Sequence, residues 1–271
     1  MIGQAIGSGD FLRSAFLVEI GLTILYVAPA PMHPSPPHIA VVIPAYNEEA
    51  SIRGVVTDVH SSLGRLGMSA EIIVVNDGSV DGTVSALRGI PCVLLSLPFN
   101  VGKGTATQLG FRYAFPRGCE ILVQLDADGQ HPAIEIGRLI GPLLSGTADV
   151  VIGSRFLEHG GSRSSFARRL GIGYFNALQR LLLRRRFTDS TSGFRAMNRN
   201  ALALCIDEYP DQYPEPEAIV MFTRRNLRVA EVAVRMDERR GGRSSIGIAE
   251  GLLYLFRATP AMLMTVLRTR H

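Results

Sequence analysis

Two aspartates one residue apart, Asp126 and Asp128, close a short apolar run and are followed by Gly129, Gln130, His131 and Pro132. Paired carboxylates at the end of a hydrophobic strand present hard oxygen ligands to a cation such as magnesium or manganese, which keeps several waters and bridges phosphate oxygens. A turn alone would not explain two neighbouring anions. The Gln130 amide oxygen is a further candidate ligand, whereas His131 reads as structural because these cations prefer oxygen. A second carboxylate group stands in Asn76-Asp77-Gly78-Ser79-Val80-Asp81-Gly82-Thr83. Asp77 is placed either to accept hydrogen bonds from a base or ribose or to close an Asp-Gly turn, and Asp81 reads as the cap of the next helix. In Asn100-Val101-Gly102-Lys103-Gly104-Thr105, two glycines flank the only lysine of the chain. Backbone N–H groups at a helix start, with one ammonium beside them, suit an anionic phosphate; the alternative is a helix entry with a solvated lysine. The string is not a P-loop, since Leu97 stands where the first Walker glycine belongs.

Elements that would hold these groups alternate along the chain. Apolar, β-branched runs at 39–43, 71–75, 92–95, 121–125 and 150–152 read as buried strands, with helices near 49–65, 81–88, 104–115 and 133–144. Near-continuous apolar strands separated by helices predict an α/β fold with a mostly parallel sheet covered on both faces. Ligands then bind at the carboxyl ends of the strands, where each of the polar strings stands. The first strand ends in Pro44-Ala45-Tyr46-Asn47-Glu48-Glu49 rather than a glycine-rich turn, which argues against a nicotinamide or flavin enzyme.

The chain has 271 residues, 46% hydrophobic and 19% charged, enough apolar material for one large domain or two small ones and the wrong composition for disorder, collagen or coiled coil. Its net charge of +4 divides unevenly: residues 1–154 carry 8 basic and 13 acidic side chains, residues 155–271 carry 20 and 11. Cys92, Cys119 and Cys205 form no CxxC pair, which fits a reducing compartment better than a disulfide framework or zinc site. Residues 1–38 read as an extension ending in a Pro-rich linker, 39–246 as the catalytic domain, and 247–271 as an apolar, amphipathic helix lying on the protein or on a membrane surface. Between 163 and 187, Phe166, Leu170, Tyr174, Ala177, Leu178 and Leu181 fall on one side of a helix and much of the arginine elsewhere. That pattern suits anionic headgroups, or equally a helix packed on the core with a solvated arginine face.

Taken in order, PAYNEE (44–49), VNDGSVDGT (75–83), NVGKGTA (100–106), DADGQHP (126–132), GSR (153–155), DSTSGFR (189–195) and RRGGRSS (239–245) make the chain similar to the family 2 glycosyltransferases with a GT-A, Rossmann-like fold. Within that family it resembles the branch of dolichyl-phosphate mannose synthase and other polyprenyl-phosphate sugar transferases. The resemblance implies a nucleotide pocket walled by Pro44, Ala45, Tyr46 and Glu48, with Asp77 binding the base and Lys103 nearby. Asp126 and Asp128 correspond to the DxD pair, with Asp128 and Gln130 holding Mg2+ or Mn2+ against the donor diphosphate. Arg155, Arg195, Arg239, Ser244 and Ser245 correspond to contacts with donor or acceptor phosphate, the last three on a closing loop. Two departures stand out: Ser244-Ser245 replaces the usual serine and lysine, with Arg243 able to supply the charge, and the sequence carries no paired membrane helices after the domain.

The resemblance further implies an inverting, metal-dependent single displacement from a UDP-, GDP- or dTDP-sugar to a polyprenyl phosphate or lipid-linked saccharide. It also implies a cytoplasmic enzyme, peripheral at the inner face of the cytoplasmic membrane, meeting a membrane surface or a small membrane-anchor partner. A hydroxyl acceptor needs a base and an ionised phosphate does not. Glu217 stands where the family carries an acidic residue near the acceptor, so it is either that base or a favourable charge at the N-terminus of a helix starting at Pro216, with Glu215 as its cap. The competing functions are a sugar-nucleotide pyrophosphorylase, which would announce itself by a glycine-rich loop after the first strand, and a non-catalytic nucleotide-sugar or membrane-surface binding module. Nucleic acid is excluded as a partner because the acidic half carries the pocket and no aromatic-basic motif occurs.

Overall fold

The computed structural model describes residues 23–25, 39–157, 166–237 and 248–268. Its centre is β2 (Ile39–Ala45), buried at every position, which pairs in parallel with β3 (Ala70–Asn76) on one side and β5 (Ile121–Gln124) on the other. β4 (Val93–Ser96) continues the parallel set beside β3. These are the runs expected from the sequence, and they are predominantly apolar because helices cover both faces. Residues 23–25, inside the stretch read as an extension, form β1 (Thr23–Leu25) and pair antiparallel with β4.

The other half of the sheet is mixed. β7 (Arg195–Asn198) lies antiparallel between β5 and β6 (Val150–Ser154), and β8 (Val229–Ala233) pairs in parallel with β6 at the edge. The complete order is β1-β4-β3-β2-β5-β7-β6-β8. One face packs on α1 (Ile52–Arg65) and α4 (Ile136–Leu144), through residues such as Val56, Leu139 and Ile140. Against the other lie α3 (Lys103–Ala114), α6 (Arg199–Glu208) and α7 (Pro214–Arg224), through Phe111, Leu202 and Phe222. The short α2 (Thr83–Ala86) follows β3; its cap position is Gly82 rather than the expected Asp81, which lies one residue earlier and accepts the Thr83 N–H through Oδ1 at 2.9 Å. Helix α7 starts at Pro214, so Glu215 lies inside its first turn rather than at its cap.

A smaller apolar cluster, Phe175, Tyr213, Val220, Ala258 and Met262, joins α5 (Phe166–Leu183), α7 and α8 (Ile248–Arg268). Helix α5 is rotated from the expected face: Ile172, Phe175 and Gln179 are buried, while Tyr174 and Leu181 are exposed. The reason is polar. Gln179 Nε2 donates to the Pro216 carbonyl at 2.9 Å, so an amide faces the core where the hydrophobic pattern put it outside. The side chains of Phe166 and Leu170 lie outside the described residues. No helix among the described residues is long and apolar enough to cross a membrane. The three cysteines are buried and free.

Candidate active site

The loops after β2, β3, β4 and β5 meet at the carboxyl edge of the sheet, and they are laced together by bonds from backbone N–H groups to side-chain oxygens. Pro44 and Ala45 are the buried end of β2, and Tyr46 beyond them is exposed. Asn47 Oδ1 accepts from Val80 N (3.0 Å), Glu49 Oε2 from Gly82 N (2.7 Å), and Glu48 N donates to Thr83 Oγ1 (2.8 Å). The Glu48 carboxylate is buried and receives Ser51 Oγ at 2.8 Å. Asp77 is also buried; Oδ1 accepts from Val101 N at 2.7 Å and Oδ2 from Gly102 N at 3.0 Å. Its first role is therefore to brace the loop before α3, and only its remaining lone pairs face other partners. Gly78 is required beside it: φ is +67° and a Cβ would stand 2.4 Å from the Phe99 carbonyl carbon.

Lys103 departs from expectation. Its ammonium does not stand open to a phosphate but bridges Asp126 Oδ1 at 2.8 Å and Glu215 Oε1 at 2.6 Å. Burial alone would lower the Lys103 pKa and raise that of Asp126. The mutual attraction wins at both: Asp126 and Glu215 lift the ammonium well above its usual range, and Lys103 holds the Asp126 carboxyl down at about 2. Asp128 Oδ1 accepts the Gln130 N–H at 3.0 Å, a turn that sets Asp128 and the partly exposed Gln130 side by side. His131 is structural as expected. Its Nδ1 accepts the Asp126 N–H at 3.0 Å, and its ring stacks on Phe194 with centroids 5.0 Å apart.

Oxygen donors for a cation are thus Asp128, the Gln130 amide and Asp126, whose buried Oδ1 is ion-paired but receives no hydrogen bond. Among the described residues no cluster of three or more His, Cys, Asp and Glu forms a closed metal cage. The donor set suits a cation that takes its other ligands from water and phosphate. The charge balance points the same way, because the two carboxylates of Asp126 and Glu215 share one ammonium.

Glycine 193 lies directly on the ion pair: a Cβ there would sit 2.9 Å from Asp126 Oδ2 and 3.0 Å from Lys103 Nζ. Gly193→Ala will therefore push the two charges apart, lowering stability by about 1–3 kcal/mol and raising the KM for donor more than it lowers kcat. Thermal melting and initial rates check this; an unchanged melting point and KM would refute the close packing.

Three residues expected at the site, two arginines as phosphate contacts and one glutamate as a base or helix-end charge, have other partners. Arg195 is fully buried, its guanidinium donating to the carbonyls of Ser192, Pro214 and Glu215. It is a clamp between the SGFR turn and the start of α7, with no face left for a phosphate. Arg155 is nearly as buried and forms a bidentate pair with Asp189, at 2.6 and 2.7 Å, plus a bond to Thr191 Oγ1. Its charge is already compensated. Glu217 turns away from the DxD pair and accepts Thr265 Oγ1 of α8 at 2.7 Å, burial raising its pKa. Two residues apart on a helix means about 200° of rotation, so Glu215 and Glu217 cannot both face the site. The acidic group that reaches it is Glu215, which the sequence had offered only as a cap. Arg239, Ser244 and Ser245, with Arg243, lie outside the described residues.

Known proteins resemble this chain in sequence and in fold. A model of glycosyl transferase family 2 matches residues 40–204. An undecaprenyl-phosphate mannosyltransferase of Micrococcus luteus is 31% identical over 77% of this chain and 87% of its own length. A UDP-N-acetylglucosamine–dolichyl-phosphate N-acetylglucosaminyltransferase of Methanococcus voltae is 28% identical over 73% and 84%. A polyprenol monophosphomannose synthase of Mycolicibacterium smegmatis is 34% identical over 60% of this chain and 62% of that protein. The fold also matches glucosyl-3-phosphoglycerate synthase of Mycobacterium tuberculosis, solved with Mn2+, UDP and phosphoglyceric acid, at a TM-score of 0.65 and 23% identity over 85% and 78% of the two chains. With its buried parallel strands, its DxD pair and these relatives, the chain belongs to glycosyl transferase family 2, in the branch of the polyprenyl-phosphate sugar transferases.

Proposed function

We propose that this glycosyltransferase moves a sugar from a nucleoside-diphosphate sugar to a polyprenyl phosphate, with inversion and with a divalent cation, at the cytoplasmic face of a membrane. The observation that carries the acceptor assignment is the placement of the acidic residues of α7. Glu217 is held by Thr265, and Glu215 is paired with Lys103, so neither carboxylate of α7 stands ready as a base. A phosphate monoester needs none, because its second pKa is about 6 and it is nucleophilic at neutral pH. The named relatives act on polyprenyl phosphates, and the solved relative binds UDP and Mn2+, which supports the donor and cation classes.

Asp128, Gln130 and Asp126 would hold Mg2+ or Mn2+, which supplies positive charge against the departing diphosphate. The chain's own part is positioning. Lys103 keeps Asp126 ionised and aimed, Asp77 holds the 100–102 loop, and the two loops after β2 and β3 form the floor on which the nucleotide lies. Because Lys103 and these loops are held by the protein's own bonds, little reorganisation accompanies the transfer.

Incubation with UDP-, GDP- and dTDP-sugars and a polyprenyl phosphate will yield an acid-labile lipid-linked sugar and the nucleoside diphosphate, only with Mg2+ or Mn2+ present. Release of pyrophosphate from a nucleoside triphosphate and a sugar phosphate would instead identify a pyrophosphorylase. Glu217→Gln will leave kcat for a polyprenyl phosphate within about twofold, while weakening the α7–α8 contact by about 1 kcal/mol. A hundredfold loss of kcat at unchanged stability would restore Glu217 as a base and a hydroxyl as the acceptor.

A further inference from the structure

Beside the site, at the carboxyl end of α5, lies an open groove of about 930 Å³ lined by Arg180, Arg184 and Arg186 with Phe156, Leu181 and Phe187. Among the described residues none of these arginines forms an ion pair, and α5 carries no acidic side chain. Neighbouring Arg185 is exposed as well. The groove is continuous with an apolar surface. Tyr174, Ala177 and Leu181 recur along one outer face of α5, with Leu181 77% exposed, and the Tyr174 hydroxyl meets Thr259 of α8 at 2.7 Å. On α8, opposite the buried Ala258, Met262 and Thr265, the chain exposes Phe256, Pro260, Leu263, Met264 and Leu267.

Large apolar side chains ranged along two adjacent helices and rimmed by arginines that have no ion-pair partner among the described residues suit a partner that is both apolar and anionic. A second copy of the chain does not meet that requirement, since a two-fold contact through this face would set arginine against arginine. We propose that the groove binds phosphate-bearing headgroups of anionic bilayer phospholipids while the exposed faces of α5 and α8 enter the headgroup layer. This surface is distinct from the DxD pocket. It rests on the membrane reading above and names the lipid class and the residues that make it. The enzyme then rests with α5 and α8 against the bilayer, so that the groove, bordered by Phe156 and Thr188, brings the GSR and DSTSGFR strings to the lipid surface.

The full-length protein, without donor or acceptor, will float with vesicles of phosphatidylcholine containing phosphatidylglycerol and will not float with phosphatidylcholine alone. An arginine near an anionic surface contributes about fivefold in partition, so the triple variant Arg180→Gln, Arg184→Gln, Arg186→Gln will bind on the order of a hundredfold more weakly. Leu181→Glu, at an exposed position that cannot disturb folding, will weaken binding too, and inorganic phosphate at equal ionic strength will not compete with the bilayer. Equal binding to neutral vesicles, no binding to anionic ones, or binding unaffected by these variants would overturn the proposal. Self-association in sedimentation that is lost in Leu181→Glu would give the face to a second copy. Because no transfer is measured, inactivity toward polyprenyl phosphates would leave this result standing, and failure here would leave the transfer reaction untouched.

Discussion

Lys103→Met will cost the protein both stability and donor binding. The substitution keeps the length of the side chain but leaves Asp126 and Glu215 facing each other across the site without the ammonium that bridges them. Breaking a fully buried pair costs about 3–5 kcal/mol, and an exposed pair is worth about 0–1. The Lys103 side chain is 38% exposed, which places the loss near 2 kcal/mol and the fall in melting temperature at roughly 4–8 °C. The sign of the pH dependence is fixed by Asp126. Its pKa in the folded protein, about 2, lies below that of the unfolded chain, so the pair stabilises fully above the ordinary carboxylate range and ceases to do so as pH falls toward 2. The gap between wild type and variant will therefore be widest near neutral pH and will close in acid. Denaturant midpoints across that range measure it; a gap independent of pH would mean that packing, not charge, is what Lys103 supplies.

Asp128→Ala will have the opposite profile. Within the described residues the side chain accepts one hydrogen bond, from the Gln130 N–H, so its loss will lower stability by about 1 kcal/mol or less. Transfer will fall by a factor on the order of a thousand or more, the scale on which removal of one electrostatic stabiliser of a transition state is felt. Mn2+ binding, followed by its paramagnetic resonance in the presence of UDP, will weaken in parallel. Full activity or unchanged Mn2+ affinity in a folded variant would remove Asp128 from the cation site.

The parallel half of the sheet was legible because its strands obey one rule. Covered on both faces, β2, β3, β4 and β5 are almost wholly apolar, and each stops where a polar string begins, so both the elements and their carboxyl ends could be marked in the sequence. The other half of the sheet breaks that rule. β7 opens with Arg195, a charge at a fully buried position, tolerated because three carbonyls brought from 192, 214 and 215 surround its guanidinium. No local pattern announces those partners. β8 is a half-buried edge strand interrupted by Glu231, whose carboxylate takes the N–H groups of Thr188 and Asp189. The arginines drew attention as phosphate ligands for the same reason: a motif gives residue type and order, but not whether a neighbouring Asp189 has already claimed the charge. Glu215 was within reach, since the two glutamates of PEPE must diverge on a helix, but only the fold decides which of them faces the lysine.

The position of β7 also bears on how the protein is made. β5 is paired with β2 on one side, and its other edge waits for a strand that begins about seventy residues later. At ribosomal speeds of roughly 5–20 residues per second, the middle of the sheet stays open on the order of ten seconds after β5 has left the tunnel. Throughout that interval an apolar strand edge, the one that ends in the DxD pair, is available to any other nascent chain. Chaperone dependence during synthesis should therefore be concentrated between the emergence of Gln124 and that of Arg195.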